Sequence, residues 1–440
     1  MSTLRRWVAA VVGAAVLAIG GPALAEEQAP PSLPKVLSME ETLRLVHGRS
    51  FDLLLADAAI VHAEGDVLAA GAVANPSLYV AAGPSINYAP PANCVGCDRY
   101  SLAVGLTDNG SLVDVLSGKR GLRRSVAEAL LAAARLERID ASRVVDGQTK
   151  EAYVAVVVAR AELDFTREVQ DSVAQTLELN KRRYPAVINE GELARTELQK
   201  ASADQAVLRA TAALRQAQLA LGFLLGAREV VPDFEVDKKW LKAQVPQDLA
   251  TATEASLYAR ALTTRADVKA NGLHREAADE ALRLARRGRF PDVALSLNYS
   301  QFGTGTDAAQ PPTLLFGLTL TLPVVYQQQG EVRRAAGDVD TQRVTGDRIS
   351  AQIANEVSDA FASFRTARDE VAQFETLALD RAKRARDVVE MQYKAGSAPL
   401  MDYLDAERTY ISTNVQYLEA IERFWASVFK LERALGAELR

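Results

Sequence analysis

Two long stretches of the chain repeat apolar residues with the spacing of a coiled coil. The second stretch follows an unbroken 4-3-4-3 pattern through Ile353, Val357, Ala360, Phe364, Ala367, Val371, Phe374 and Ala378. The first stretch does the same through Leu122, Val126, Ala129, Ala133 and Leu136. A heptad spacing held over several turns predicts long helices that pack along a shared seam. No proline interrupts residues 117–183 or 327–393.

A shorter helical pattern and two alternating segments precede each long stretch. The shorter helices are predicted at about residues 39–74 and 254–288, with Ser38 as the N-cap of the first because acidic residues follow in its first turn. Apolar and polar residues then alternate between turn residues, which predicts four short strands. Their approximate bounds are 77–83, 100–106, 292–302 and 313–322.

The two halves of the chain repeat the same order of motifs. Asn75-Pro76-Ser77-Leu78 and Phe290-Pro291-Asp292-Val293 each close a helix and open a strand, and Leu224-Leu225-Gly226 and Ala434-Leu435-Gly436 each end a half. Such self-similarity predicts an internal duplication of a unit of roughly 210 residues. The first repeat covers residues 26–226, an equatorial linker covers 227–252, and the second repeat covers 253–440. Each repeat consists of a helix, a strand pair, a long helix, a turn and a helix, with tip turns near 184–192 and 393–402.

The first 25 residues have the pattern of a signal peptide. Arg5 and Arg6 precede the apolar run from Trp7 to Ile19, and Ala23-Leu24-Ala25 forms a cleavage site of small residues. The alternative is an N-terminal membrane anchor, which the shortness of the apolar run disfavours. We therefore expect an exported protein.

The composition excludes several classes of protein. Among 440 residues there are only two Cys, three His and four Met, too few for a disulfide scaffold or a Cys/His metal framework. After the signal peptide, no apolar run approaches the roughly 18 residues that a spanning helix needs. The net charge of −5 argues against nucleic acid as a partner, because binding phosphate requires a basic face. No residues are arranged as a nucleophile, a general base or a metal site, so we expect neither an enzyme nor a cofactor.

Four strands raise a physical question about their surroundings. In a bilayer an open sheet edge is not tolerated, and bacterial barrels begin at about eight strands. The strands therefore either join those of other subunits in a membrane or form a small soluble sheet. The second alternative describes a periplasmic coiled-coil adaptor or scaffold protein without a membrane barrel.

The order of motifs resembles that of the TolC-like outer membrane efflux proteins over nearly the whole mature chain. The most specific stretches are Tyr393-Lys394-Ala395-Gly396, Met401-Asp402-Tyr403-Leu404-Asp405-Ala406-Glu407-Arg408 and Leu431-Glu432-Arg433-Ala434-Leu435-Gly436. The resemblance implies a mostly α fold with a small β part, in which long antiparallel coiled-coil helices form an α-barrel in the periplasm. It also implies a homotrimer whose subunits each contribute four strands to a twelve-stranded transmembrane β-barrel in lipid of the outer membrane.

The resemblance further implies the function of a passive exit duct in a tripartite efflux or type I secretion system. A periplasmic adaptor (a membrane fusion protein) would bind the helices, and an inner-membrane transporter would supply the energy. Residues 327–331 are weakly similar to the heavy-metal branch of the family. Drugs, metal ions and proteins all remain possible substrates.

The tip turns contain the candidate gate residues. Asp402 and Asp405 lie three apart on one helix face, and the resemblance places the channel's constriction there. In a trimer they would form acidic rings that attract cations; the alternative is ordinary first-turn acids favoured by the helix dipole. Glu192 is the counterpart of Asp402 in the first repeat. Tyr184 and Tyr393 are expected either to hydrogen-bond across neighbouring coils or to pack at helix ends.

One residue of the second tip turn departs from some members of the family. Ala398 occupies a position where those members carry a basic gate residue. Arg182 and Arg183 are the candidates to replace it, and the alternative is a solvated run of charge.

Cys94 and Cys97 are separated by two residues in the loop between the first two strands. This spacing suits metal capture or a local disulfide. We expect the disulfide, because no further Cys or His lies nearby and an exported loop favours oxidation.

Overall fold

A computed structural model of the chain describes residues 34–84, 86, 89, 92, 99–302 and 310–439. The predicted signal peptide and the pair Cys94 and Cys97 lie outside these residues. The chain divides into residues 1–35 and residues 36–440, and the elements below belong to the second unit. Its fold is mostly helical with a small sheet part.

The elements alternate between helical and extended segments. The strands are β1 (Val36–Leu37), β2 (Ser77–Pro84), β3 (Tyr100–Thr107), β4 (Glu235–Val236), β5 (Asp292–Phe302) and β6 (Gln310–Thr321). The helices are α1 (Met39–Arg49), α2 (Phe51–Gly71), α3 (Ser111–Leu116), α4 (Lys119–Arg183), α5 (Glu190–Leu224), α6 (Glu254–Thr264), α7 (Ala266–Arg287), α8 (Gln329–Gln373), α9 (Leu379–Lys394) and α10 (Leu400–Leu435). A π-helical turn, Phe374–Ala378, joins α8 to α9.

The two heptad stretches form the longest helical segments. Helix α4 has 65 residues, a length of roughly 100 Å. In α8 the predicted seam is buried from Ile353 to Val371, but Phe374 and Ala378 are only half-buried. The π turn adds a residue to the helix and rotates the seam, which resumes at the buried Ala382. The prediction of an unbroken 4-3 seam through Ala378 is therefore wrong in its last turn.

Each of the two shorter predicted helices is in fact a pair of helices. Helices α1 and α2 meet at Ser50 (φ −56°, ψ 131°), and α6 and α7 meet at Arg265 (φ −63°, ψ 132°). A ψ near 130° lies outside the helical region, so each predicted helix is interrupted at this residue. Ser38 does cap α1, because its side chain accepts a hydrogen bond from the Glu41 N–H.

The ends of α5 and α10 lie against these two breaks. Gly226 (φ 68°), just after α5, lies so near Arg49 that an added Cβ would collide with the Arg49 carbonyl, and a Cβ on Gly436 (φ 66°), just after α10, would press against Arg265. A positive φ is readily adopted only by glycine, which accounts for the Leu-Gly sequence at both ends. The short helices and the returning helices therefore meet at equivalent places in the two halves.

Helices α4 and α8 contact most of the other helices. Helix α4 packs against α2 and α5, and α8 packs against α7, α6 and α10. The two sets are joined by contacts of α4 with α7 and α10. Among the described residues, none of the helices combines the length and the apolar character needed to cross a membrane.

The main sheet is antiparallel, with the strand order β2-β3-β5-β6. The bounds of these strands lie within a few residues of the sequence predictions. A second, two-stranded sheet pairs β1 in parallel with β4, which lies in the segment between the repeats. The hydroxyl of Tyr153 on α4 donates to the Leu37 carbonyl at 2.8 Å and so holds this small sheet against the long helix.

Candidate functional site

The four-stranded sheet presents one face made almost entirely of apolar side chains. Residues opposite each other in an antiparallel ladder share a face, and Leu78 is opposite Leu106, Leu106 opposite Leu297, and Leu297 opposite Phe316. The complete face consists of Leu78, Val80, Ala82, Pro84, Tyr100, Leu102, Val104, Leu106, Val293, Leu295, Leu297, Tyr299, Gln301, Leu314, Phe316, Leu318 and Leu320. We call this the apolar face.

The other face of the same sheet is mostly small or polar, with Tyr79, Phe302 and Leu315 as its large side chains. It consists of Ser77, Tyr79, Ala81, Gly83, Ser101, Ala103, Gly105, Thr107, Asp292, Ala294, Ser296, Asn298, Ser300, Phe302, Thr313, Leu315, Gly317, Thr319 and Thr321. Gly105 leaves room for the Asn298 side chain and Gly317 for that of Ser296, since an added Cβ would collide with either one. Alternation with a period of two is therefore preserved in all four strands up to the register shift between Ser300 and Phe302.

The apolar face has no cover within the described chain. Leu78 is 64% exposed, Leu318 is 61% exposed and Phe316 is 83% exposed. Strands β2 and β6 each have a single neighbour, so both edges of the sheet leave backbone groups without ladder partners. An apolar surface of this extent and two open edges indicate an apolar environment and further strands.

The tip turns, residues 184–189 and 395–399, lie close together because a buried polar pair joins their helices. The Tyr393 hydroxyl on α9 donates to Oδ1 of Asn180 on α4 at 2.5 Å. Asn180 in turn donates through Nδ2 to the Thr196 hydroxyl on α5 at 2.8 Å. All three side chains are buried, and burial raises the pKa of Tyr393 although the bond to Asn180 opposes this.

An aromatic pair packs beside these hydrogen bonds. The rings of Tyr393 and Tyr403 are stacked, with centroids 5.3 Å apart and planes at 5°. They form a small core with Leu400, and the Tyr403 hydroxyl lies 3.2 Å from that of Thr176 on α4. Tyr393 thus packs at the end of its helix and also hydrogen-bonds to another helix of the same chain.

Arg183 connects the end of α4 with the second tip turn. Its guanidinium donates to the carbonyls of Tyr393, at 3.3 Å, and Lys394, at 2.7 Å. A cation is favourable at a helix C-terminus, where carbonyls of the last turn are short of helical partners; the Tyr393 carbonyl also accepts a hydrogen bond from the Gly396 N–H at 3.0 Å. The guanidinium also lies 5.6 Å from the centre of the Tyr393 ring. Tyr184, by contrast, is 42% exposed, and none of the described residues accepts a hydrogen bond from its hydroxyl.

The three candidate acids differ in what their carboxylates do. Asp402 and Glu192 each occupy the third position of their helices, α10 and α5. The Glu192 carboxylate accepts a hydrogen bond from the Asn189 N–H at 3.0 Å in a capping box. Asp402 and Asp405 are exposed and have no hydrogen-bond or ion-pair partner among the described residues. Their carboxylates are therefore available to solvent or to a passing ion.

Sequence reasoning missed the polar residues on which the tip depends. Val169, Val173, Thr176 and Asn180 are buried at a 4-3-4 spacing on α4, so the seam of the first long helix ends in two polar positions. A polar residue in a seam often specifies register and partner, and this signal was available in the sequence. Glu407 on α10 was also missed; it is 1% exposed, inside the motif that carries the family resemblance.

The part of the chain that the structure describes contains no group of three or more His, Cys, Asp or Glu side chains placed to hold a metal ion. The site therefore has two parts: the tip turns at one end of the long helices and the apolar face of the sheet beyond the other end of α4 and α8. Neither part contains an arrangement of groups typical of catalysis.

Comparison with known proteins agrees with this geometry. Residues 257–437 match the family described as outer membrane efflux protein. The cobalt-zinc-cadmium resistance protein CzcC of Cupriavidus metallidurans is 23% identical over 408 residues, which is 91% of this chain and 90% of CzcC. The resemblance to the outer membrane efflux proteins is therefore confirmed.

Solved outer membrane channels share the fold. The Campylobacter jejuni CmeC outer membrane channel superposes with a TM-score of 0.75 at 17% identity, covering 94% of this chain and 91% of that one. The open state of the Neisseria gonorrhoeae MtrE outer membrane channel superposes with a TM-score of 0.73 at 19% identity, covering 91% and 89%. Both similarities extend over most of the two chains and show a shared fold.

Proposed function

We propose that this chain is one subunit of a homotrimeric outer membrane channel, the passive exit duct of a tripartite efflux or type I secretion system. The apolar face of the sheet carries this proposal. In a bilayer it contacts lipid, while the polar face lines water, as in transmembrane barrels whose strands alternate in this way. Three copies supply twelve strands, and pairing β6 of one subunit with β2 of the next removes every open edge.

The helices continue this channel as a tunnel on the periplasmic side. Helix α4 and the α8–α9 segment run the length of the tunnel wall, and stacked pairs of shorter helices fill the spaces between them. The equivalent breaks at Ser50 and Arg265, and the glycines that lie against them, support an internal duplication. The heptad seams supply the packing between neighbouring helices of the α-barrel.

The tip turns form the constriction of the tunnel. Three copies of Asp402 and three of Asp405 make two acidic rings that concentrate cations and exclude anions. Glu192 contributes less to this field because its carboxylate is engaged in a helix cap. The bond of Tyr393 to Asn180 and the contacts of Arg183 with the second tip turn hold the constriction closed.

The partners are a periplasmic adaptor and an inner-membrane transporter. A duct of this kind has no energy source of its own, so the transporter drives export and the adaptor links it to the tip. The adaptor binds on the outer surface of the coiled helices. Dilation of the tip turns opens the path when the complex assembles.

Divalent metal cations are the substrate class best supported for this duct. The similarity to CzcC, whose name specifies cobalt, zinc and cadmium, extends over most of both chains, and the acidic rings favour cations. A duct needs no high-affinity site, because tight binding would slow release. Deletion of the gene in its own host should lower tolerance to these metals, whereas equal loss of tolerance to uncharged drugs would contradict the assignment.

Arginine substitutions on adjacent residues of β6 test the channel directly. Phe316 and Leu315 are neighbours on opposite faces of the sheet, and both are exposed in the single chain. Phe316→Arg places a charge in lipid, at a cost of about 2–4 kcal/mol near the bilayer midplane, and should abolish assembly in the outer membrane. Leu315→Arg faces water and should leave channels that conduct in planar bilayers. Equal tolerance of both substitutions would overturn the membrane assignment.

A further inference from the structure

A carboxyl group is buried near the tip without a hydrogen-bond partner. Glu407 lies on α10 one turn after Tyr403 and is 1% exposed. Its Oε2 is buried with no hydrogen-bond partner in the described chain. Leaving a buried polar atom without a partner costs about 1–3 kcal/mol, and more when the group is charged. Such an atom calls for an explanation beyond packing.

The cation that acts on Glu407 is Arg386, whose own Nε is buried without a hydrogen-bond partner in the described chain. Arg386 on α9 places its guanidinium 4.4 Å from the centre of the Tyr410 ring. The same side chain lies 3.4 Å from Glu390 and 3.0 Å from Asp387, two other acids of α9. Glu407 therefore faces one arginine that already has two carboxylate neighbours.

Among the described residues, Arg386 is the cation whose charge acts on Glu407. On α10 its titratable neighbours are Tyr403 and Tyr410, and on α4 the charged group facing this cluster is Glu168, which acts on Tyr410. Burial raises the pKa of Glu407; Arg386 opposes this, while Glu390 and Asp387 add to it, and the net direction is upward. The packed helices thus favour the neutral acid.

We propose that Glu407 is a proton-sensitive lock on the tip, protonated more readily while α10 is packed on α4 and Tyr393 of α9 is bonded to Asn180 than when the α9–α10 hairpin moves away. The proposal rests on the proposed function, because it assigns this buried acid to the gate of the channel. Movement of the hairpin admits water to the carboxylate and removes the cost of its charge. Glu407 acts through packing and touches no exported molecule.

The direction of the pH effect follows from this arrangement. A group that is protonated more readily in the closed state stabilises that state at low pH. As the pH rises, ionisation favours any state in which Glu407 is hydrated, so the tip opens more often. A difference of one pKa unit between closed and open states changes the opening equilibrium about tenfold per subunit.

Single-channel conductance against pH tests the lock. Glu407→Gln keeps the shape of the side chain but cannot ionise. Glu197→Gln is the matched control, because Glu197 is an exposed acid on α5, on the same half of the bundle. Between about pH 5 and pH 8 the unmodified channel and the Glu197→Gln channel should open roughly tenfold more often as the pH rises. The Glu407→Gln channel should remain mostly closed throughout this range.

The outcomes distinguish the lock from the channel itself. A Glu407→Gln channel with the same pH response as the unmodified protein overturns the lock and leaves the channel intact. If neither the unmodified protein nor any variant conducts at any pH, the proposed channel is wrong. Hydrogen exchange of the detergent-solubilised protein then tests the role of Glu407 separately. A loss of protection in residues 379–394 at high pH, measured relative to the intrinsic base-catalysed exchange rate, supports it when it occurs in the unmodified protein and not in Glu407→Gln. Equal exchange in both proteins overturns it.

Discussion

The hydroxyl of Tyr393 donates to Oδ1 of Asn180 across 213 positions of sequence, at 2.5 Å. The bond joins the end of α9 to the last turns of α4, so it connects the tips of the two helical hairpins inside one subunit. Because both groups are buried, neither has water as an alternative partner. The arrangement of the two tip turns within the subunit therefore depends on this pair more than on any exposed contact.

Tyr393→Phe should loosen the tip. The change removes the donor and leaves the Asn180 oxygen unsatisfied, a loss of about 1–3 kcal/mol in the closed state. Channels in planar bilayers should open more often at neutral pH. Tyr184→Phe is the control, since Tyr184 is largely exposed and its hydroxyl has no hydrogen-bond partner in the described chain; an equal effect from both changes would contradict the role given to Tyr393.

Replacing Asp402 and Asp405 together by Asn should lower the preference of the channel for cations. Both carboxylates are exposed near the tip, so removing them reduces the negative potential without disturbing a buried contact. Reversal potentials in a salt gradient measure the preference. Asp233→Asn, an exposed acid in the segment between the repeats, should leave the reversal potential unchanged. Undiminished selectivity in the double variant would remove the acidic rings from the mechanism.

Gly226→Ala should destabilise the junction between α5 and the α1–α2 break. A Cβ at this position collides with the carbonyl of Arg49, and φ is 68°, so the cost is at least the 1–2 kcal/mol of a left-handed alanine. Gly65→Ala, in an open position within α2, should instead stabilise the chain by about 0.5–1 kcal/mol through helix propensity. Thermal unfolding of the two variants should shift in opposite directions.

Arg265→Leu should weaken the corresponding junction in the second half. Arg265 is buried, and its guanidinium contacts Asp267, Glu356 and the Ala434 carbonyl. The free energy of unfolding is expected to fall by about 2–3 kcal/mol. Breaking a fully buried ion pair costs about 3–5 kcal/mol, and the loss is smaller here because Asp267 and Glu356 stay partly exposed. Arg260→Leu, which breaks the exposed pair with Asp248, should cost less than about 1 kcal/mol.

The stability difference caused by Arg265→Leu should depend on pH. Burial raises the pKa of Asp267, but its hydrogen bonds to Arg265 and the arginine's charge outweigh this and lower it. A lowered carboxyl pKa contributes stability at neutral pH that is lost as the pH falls through the folded-state value. Urea midpoints of the two proteins should therefore converge below about pH 4. A constant difference at every pH would show that lost packing, not the ion pair, explains the variant.

Much of the fold is predictable from local pattern. The heptad spacing predicts α4 and most of α8, because those seams are filled by small and apolar residues over many turns. The alternation of apolar and polar residues predicts the strands of the main sheet, because one face of the sheet is apolar and the other is mostly small or polar. The breaks at Ser50 and Arg265 escape prediction, since neither is proline or glycine and each depends on the end of another helix packing against it.

The tip was predictable only in part. The first-turn positions of Asp402 and Glu192 follow from the sequence. Only Glu192 takes part in a capping box, because Asn189 precedes its helix, whereas Pro399 precedes the helix of Asp402 and offers no side-chain acceptor. The partners of Tyr393 lie in the other repeat. The burial of Glu407 depends on how α10 packs against other helices. The spacing of residues within α10 does not predict it.

The number and location of the subunits test the account most directly. The full chain, expressed in a Gram-negative host, should fractionate with the outer membrane and migrate without heating as a trimer that boiling converts to a single subunit. Assembly of this kind covers the apolar face of β2, β3, β5 and β6 with lipid and pairs both sheet edges. A monomeric protein recovered in the periplasmic fraction would contradict the channel.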